Sequence, residues 1–115
     1  MHELSIAMSI VEMAEEEAAA RGSARVHAVH LRLGPLSGVV KEALLSSFEM
    51  ACAASPLEGS QLVIEEVPIM VFCSTCQAAR RVASLQWMCC PECGAPSQDV
   101  LQGKELEITA LELSE

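Results

Sequence analysis

The sequence CSTCQAARRVASLQWMCCPECG, residues 73–94, decides the fold of this chain. It contains two Cys-x2-Cys pairs, and thirteen residues separate the first pair from the second. Two thiolates three positions apart in a tight turn can direct both sulfurs at one centre, and two such turns supply the four sulfur ligands of a tetrahedral Zn²⁺ site. The sequence therefore predicts a zinc site with four ligands: Cys73, Cys76, Cys90 and Cys93.

The predicted zinc is structural, because four protein ligands leave no open position for a substrate or for water. Pro91 and Gly94 suit the second turn, since proline fixes φ and glycine accepts the positive φ that follows. Two departures from the usual zinc-ribbon pattern are a slightly short spacer and Gln77, which stands where a glycine is usual. A pair of disulfides or a redox dithiol is the alternative interpretation of the four cysteines.

Two further cysteines lie outside this set. Cys89 is a fifth candidate thiolate beside Cys90. Pairing Cys89 with Cys93 would lengthen the turn and lose the fit of the proline and the glycine, so Cys90 is retained as the ligand. Cys89 can still compete for metal or oxidise, and Cys52 is interpreted as a small buried apolar side chain of a helix.

Composition excludes several classes of protein. The 115 residues carry sixteen acidic and seven basic side chains, for a net charge of -9. This balance opposes binding to nucleic acid and to anionic lipid, and it favours basic protein partners. We find no secretory signal and no apolar run of about 18 residues that could span a membrane. We therefore expect a cytoplasmic protein, in which thiols stay reduced and a four-cysteine cluster binds metal.

Periodicity predicts two helices and three strands around the cysteine segment. They are a helix ending at Gly22, a strand over 24–33, a helix over 39–54, a strand over 61–70 that Pro68 places at an edge or a bulge, and a strand after Gly103. The predicted buried stripe of the first helix consists of Leu4, Ala7, Met8, Val11, Ala14 and Ala18.

The closing strand has the same pattern as the first two, so the simplest arrangement places all three in one sheet. We therefore predict an α+β fold in which two helices pack on a three-stranded sheet that carries an inserted zinc-ribbon-like module. The predicted domains are residues 1–70 plus 104–115 and an inserted zinc-binding domain over 71–103. A module of this size builds little core, so we expect it to depend on its metal for folding.

No catalytic constellation or phosphate loop is present, so the sequence predicts a protein that is not an enzyme. His27 and His30 are expected on opposite faces of a strand, as polar or half-buried sheet positions.

The amino terminus offers a second kind of metal site. The α-amine of Met1, the backbone nitrogen of His2 and the imidazole of His2 can close fused chelate rings around one ion, and Glu3 adds a backbone nitrogen and a carboxylate. A planar nitrogen set suits Ni²⁺ or Cu²⁺. The first N–H groups of a helix also lack intrahelical partners. From spacing alone, His2 is either a nickel ligand or part of a frayed terminus.

Three motifs occur together and in order: Met-His-Glu-x-Ser at residues 1–5, Leu-Gly-Pro-Leu-Ser-Gly-Val at 33–39, and the two cysteine pairs with Cys-Pro-x-Cys-Gly at 90–94. Together they closely resemble the HypA/HybF family of hydrogenase maturation nickel metallochaperones. The resemblance implies a nickel-binding α/β lobe with an inserted zinc lobe. It also implies that His2 binds nickel, with help from Met1 and Glu3, and that the four cysteines bind structural zinc.

The resemblance further implies the partners. They are a HypB-type GTPase and the large subunit of nickel-iron hydrogenase, which receives Ni(II), and in some organisms urease maturation proteins. Whether the chain forms a homodimer is left open. The strongest alternative from another class is a zinc-stabilised adaptor that docks maturation partners without carrying nickel itself.

Overall fold

The structure is a computed structural model and describes residues 2–114. Met1, predicted to take part in the nickel site, lies outside the described residues. The elements are α1 (Glu3–Ala20), β1 (Arg25–Leu33), a 3-10 turn (Pro35–Ser37), α2 (Lys41–Ala53), β2 (Gln61–Glu66), β3 (Ile69–Cys73), β4 (Ala78–Val82), β5 (Val100–Gln102) and β6 (Leu106–Ser114). They form an α+β fold, as predicted.

The chain divides into two compact units. The first comprises Met1–Leu31, Val39–Glu65 and Glu107–Glu115, and the second comprises Arg32–Gly38 and Glu66–Leu106. Within residues 2–114, no helix has the length and apolar character needed to cross a membrane.

The first sheet has the strand order β2-β1-β6. Its side-chain contacts give the strand directions: His27 meets Ser114 while His30 meets Glu112, so β6 runs antiparallel to β1. Ser60 Oγ, just before β2, donates to Val26 O, and Val67 N donates to Leu33 O, so β2 runs parallel to β1. The prediction that the closing strand joins the same sheet as the first two is confirmed.

The core of the first unit lies between the two helices and this sheet. Its buried residues are Ala7, Ile10, Val11, Ala14, Ala18, Val26, Val29, Leu31, Leu44, Phe48, Cys52, Leu57 and Leu62. The predicted stripe of α1 needs one correction: Leu4 is 45% exposed and Met8 is 56% exposed, while Glu3 is buried. The buried face begins one residue earlier than predicted because the Glu3 carboxylate has a partner inside the unit, described below.

The predicted strand over 61–70 is wrong, because it is two strands in different sheets. Pro68 has no N–H to donate to a ladder, and β2 ends at Glu66, just before it. From Ile69 the chain becomes β3, the central strand of a second antiparallel sheet with the order β4-β3-β5. A small apolar cluster of Ile69, Val71 and Val82 packs on this sheet.

The segment after β1 is held against the chain just before β6. Gly34 N donates to Glu105 O at 2.8 Å, and Leu36 N donates to Gly103 O at 2.8 Å. A Cβ at Gly34 would lie 2.1 Å from Gly103 O, so only glycine permits this approach. The close crossing explains why Arg32–Gly38 belongs to the second unit.

Candidate metal centre

The four predicted cysteine ligands converge on one point. Their Sγ atoms all lie within 4.8 Å of one another, and they form the one such cluster of metal-ligating side chains among the described residues. The Cys73 and Cys93 sulfurs are 3.5 Å apart, and the Cys76 and Cys90 sulfurs are 3.9 Å apart. Four sulfurs placed about 2.3 Å from a central zinc ion would be separated by about 3.8 Å in a tetrahedron. The cluster therefore has the size and the donor chemistry that zinc requires.

The first turn of the cluster follows directly from β3. Cys73 is the last residue of that strand, and Cys76 N lies 3.4 Å from its sulfur, to which it donates. Gln77 then adopts a left-handed φ of 55°, and its side-chain amide donates to Ser74 O. The glycine expected at this position is thus replaced by a residue that adopts the left-handed conformation of the turn.

The second turn has the geometry that its proline and glycine predict. Gly94 has a φ of 77°, and its N–H donates to Cys90 O at 2.8 Å. Cys90 N donates to Ala95 O at 2.8 Å and fixes the other side of the turn. Within the cluster Cys73 and Cys90 are buried, Cys76 is partly buried and Cys93 is exposed, so one side of the cluster reaches the surface.

The protein environment separates the acidities of the two cysteines in the second turn. Burial opposes ionisation of Cys90, but the backbone N–H groups of Cys93 and Glu92 outweigh it, so the pKa of Cys90 falls to about 6. At Cys93 the Ala95 N–H favours the thiolate, but the crowding of neighbouring sulfurs is stronger and raises the pKa of Cys93 to about 12. Four sulfurs this close cannot all ionise unless a cation joins them.

Cys89 and Cys52 are both outside the cluster. Cys89 forms a backbone bridge to Pro96 instead, so the structure brings Cys90 and not its neighbour to the other three cysteines. Cys52 is 3% exposed, and burial raises the pKa of its thiol. The interpretation of Cys52 as a small buried apolar side chain is confirmed.

At the amino terminus, His2 is exposed and stands at the N-cap of α1. Its side chain makes no capping hydrogen bond to the helix, whereas its carbonyl accepts from Ile6 N at 3.0 Å. Glu3 is 7% exposed, and its carboxylate accepts a hydrogen bond from Val40 N at 3.1 Å, at the N-cap of α2. The Glu3 carboxylate thus links the first turn of α1 to the N-terminal end of α2 by a hydrogen bond.

This arrangement makes the first unit sensitive to acid. The Val40 N–H is the largest of the effects that hold the pKa of Glu3 below its usual 4.5. A depressed folded-state pKa contributes stability above the unfolded value, and that contribution is lost as the pH falls through the folded value. We expect Glu3→Gln to lower the urea midpoint of helix unfolding at pH 7, and the difference from wild type to shrink as the pH falls below about 4. Glu12→Gln, on the exposed face of α1, is the control and should match wild type at both pH values.

The remaining histidines do not form a metal site. His27 and His30 bond to Ser114 and Glu112, which are two residues apart on β6, so both project from the same side of the sheet. The expectation of opposite faces is wrong because β1 breaks its alternation, with Ala28 and Val29 both buried. Each imidazole has its own partner on β6, as expected of ordinary sheet positions.

One residue near the cysteines was missed by the sequence analysis. Arg80, on β4, lies beside the sulfurs of Cys76 and Cys90, and their proximity raises the pKa of its guanidinium above the usual value. Its position could be found only from the pairing of β3 with β4.

Comparison with known proteins extends over nearly the whole chain. Residues 1–113 match the HypA family, described as "Hydrogenase/urease nickel incorporation, metallochaperone, hypA". Hydrogenase maturation factor HypA of Roseiflexus sp. (strain RS-1) is 54% identical over 112 residues, which are 97% of this chain and 91% of that protein. The protein of the same name from Chloroflexus aurantiacus is 48% identical over 112 residues, with coverage of 97% and 98%.

Two solved structures share the fold. The solution structure of the Ni metallochaperone HypA from Helicobacter pylori has a TM-score of 0.66 at 24% identity and covers 99% of this chain and 98% of that one. A second solution structure of a HypA protein has a TM-score of 0.69 at 24% identity, with coverage of 98% and 96%. The resemblance seen in the three sequence motifs is confirmed by the family match and by the sequence relatives: the chain belongs to the HypA family of nickel-incorporation metallochaperones, which are maturation factors and not enzymes.

Proposed function

We propose that this protein binds Ni(II) at its amino terminus and delivers it for maturation of nickel-iron hydrogenase. The ligands of the proposed site are His2, through its imidazole and backbone nitrogen, the Met1 amine and the backbone of Glu3. The observation that carries the proposal is the exposed His2 at the N-cap of α1, whose side chain makes no capping hydrogen bond. The N–H groups that follow it belong to the first turn of a helix, where intrahelical acceptors are absent.

The proposed site suits a carrier, which has to release its ion. One imidazole anchor at a chain terminus leaves the nickel open to a partner, which can replace one ligand at a time. Nitrogen ligands must lose protons to bind, so we expect nickel affinity to fall as the pH falls. Affinity alone would favour copper over nickel, so selectivity has to come from metal supply or from the partner.

We propose that the zinc site is structural and that the chain has two domains. Zinc held by Cys73, Cys76, Cys90 and Cys93 would cross-link the end of β3 to the second cysteine turn. The proposed nickel-binding domain comprises residues 1–70 plus 104–115, and the inserted zinc-binding domain comprises 71–103. The two compact units support a division into two parts, since His2 belongs to one and the cysteine cluster to the other. The units differ from the proposed bounds in placing residues 32–38, 66–70 and 104–106 with the cluster.

The proposed partners are a HypB-type GTPase and the hydrogenase large subunit, with urease maturation proteins and a second copy of the chain as further candidates. Family membership and the names of the relatives support a role in hydrogenase maturation. We propose a cytoplasmic location, where the six cysteines, all unpaired in the structure, stay reduced.

The alternative is an adaptor that docks the same partners without carrying nickel. Complementation distinguishes the two functions: the chain is expressed in a host whose own HypA-family gene has been deleted, and hydrogenase activity is measured. We expect the wild-type chain to restore hydrogenase activity at limiting nickel, and His2→Ala to lose most of that activity and regain it when nickel is added in excess. His27→Ala, at equal protein level, should behave as wild type. Full activity of His2→Ala at limiting nickel would favour the adaptor.

A further inference from the structure

Arg80 occupies an unusual place in the second sheet. It pairs with Val71 across the β3–β4 ladder, while Ala78, two residues earlier on the same face, pairs with Cys73. The side chain therefore lies on the face that carries the apolar cluster and the start of the cysteine site. Arg81, the next residue, pairs with Met70 and is exposed. Of the two adjacent arginines, only Arg80 therefore lies on the sheet face that also carries Cys73.

The Arg80 guanidinium has N–H donors that lack a good hydrogen-bond acceptor among the described residues. Nε of Arg80 is buried and has no hydrogen-bond partner within residues 2–114. One Nη reaches Ala79 O at 3.5 Å, which is the outer limit of a hydrogen bond. A buried donor without an acceptor costs free energy, so its retention requires a reason. The groups beside it are the sulfurs of Cys76 and Cys90, which are weak acceptors as thiols and strong ones as thiolates.

The negative charge of a metal-bound four-cysteine site explains why an arginine with a buried N–H group is retained beside it. A divalent ion held by four thiolates carries a net charge of about -2. A negative cluster at the edge of a small apolar core is stabilised by a fixed cation nearby, and arginine keeps its charge in any protein environment. Groups that hydrogen-bond metal ligands orient them and adjust the affinity of the site.

We propose that Arg80 is a positioning residue for the four-cysteine site, in which its guanidinium donates to the Cys76 and Cys90 sulfurs and offsets the negative charge of the metal-bound cluster. This inference rests on the proposed zinc site and adds a residue that is not itself a ligand. It predicts that zinc affinity depends on the charge and the N–H groups of Arg80, and not only on the volume of its side chain.

The test compares four full-length proteins: wild type, Arg80→Met, Arg80→Lys and Arg81→Met. Methionine keeps much of the length of arginine without charge, and lysine keeps the charge without the planar fork. In competition with a chromophoric chelator, we expect Arg80→Met to bind zinc about 10- to 100-fold more weakly than wild type, as for other changes next to metal ligands. Arg80→Lys should recover part of the loss, and Arg81→Met should stay within about twofold of wild type.

Cobalt substitution provides a readout that a packing defect would not move. Hydrogen bonds to a thiolate stabilise its lone pairs, so removing them should shift the sulfur-to-cobalt charge-transfer band of Arg80→Met to lower energy. Arg81→Met should keep the wild-type spectrum. Equal zinc affinities for Arg80→Met and Arg81→Met would overturn the inference, as would equal losses in Arg80→Met and Arg80→Lys with an unshifted band. A wild-type chain that takes up no zinc would overturn the zinc site itself.

Discussion

Replacing Cys73 by serine is expected to remove zinc from the protein and to unfold the second unit. Cys73 is 1% exposed and ends the central strand of the second sheet. Structural zinc in small modules contributes about 10–16 kcal/mol of binding free energy, so losing one of four sulfurs should weaken zinc binding by about 100- to 1000-fold. The buried apolar residues of that unit are few, so they cannot hold it together without the metal.

Two measurements check this result. Elemental analysis should find one zinc per wild-type chain and less in Cys73→Ser. Limited proteolysis should cut the second unit of Cys73→Ser while that of wild type resists, and the helical circular dichroism of the first unit should persist in both.

The adjacent Cys89 offers a matched control. Cys89→Ser removes a thiol beside the cluster but outside it, so it should keep one zinc per chain. In the wild type, a thiol reagent should react readily with Cys89 alone until a chelator is added, because Cys52 is buried and the proposed zinc would protect the other four sulfurs. Wild-type zinc affinity in Cys73→Ser would contradict the assignment of the ligands.

The second large effect is expected at the amino terminus. In a nickel titration of untagged protein, His2→Ala should bind Ni(II) at least about 100-fold more weakly than wild type, since even changes outside the ligand shell cost 10- to 100-fold. One additional residue ahead of Met1 should have a comparable effect, because it would displace the α-amine from the proposed chelate rings.

His27→Ala is the control for the loss of a histidine as such. His27 is exposed on β1 and bonds to Ser114, so its removal should leave nickel binding unchanged. Unchanged affinity in both His2→Ala and the extended chain would remove the terminal site. A loss in His2→Ala alone would retain the imidazole as a ligand and exclude the amine.

Much of the fold could be predicted because the signals are local. Helical periodicity and Gly22 predicted the end of α1 to within two residues of its observed end at Ala20. The alternation of apolar and polar residues predicted β1 and β6. Where a prediction was wrong, a distant contact decided the outcome. Glu3 is buried because of Val40, 37 positions away, and Met8 is exposed although it matched the apolar stripe.

The sequence by itself determined the chemistry of the four-cysteine site, because the identity of the ligands and their spacing within two short turns are properties of the local chain. Only the tertiary structure decided that the chain changes sheets at Pro68, that Gly34 packs against Gly103, and that Arg80 lies beside the Cys76 sulfur. These are contacts between segments separated along the chain, and their register is set by strand pairing and close packing, which no short stretch of residues encodes.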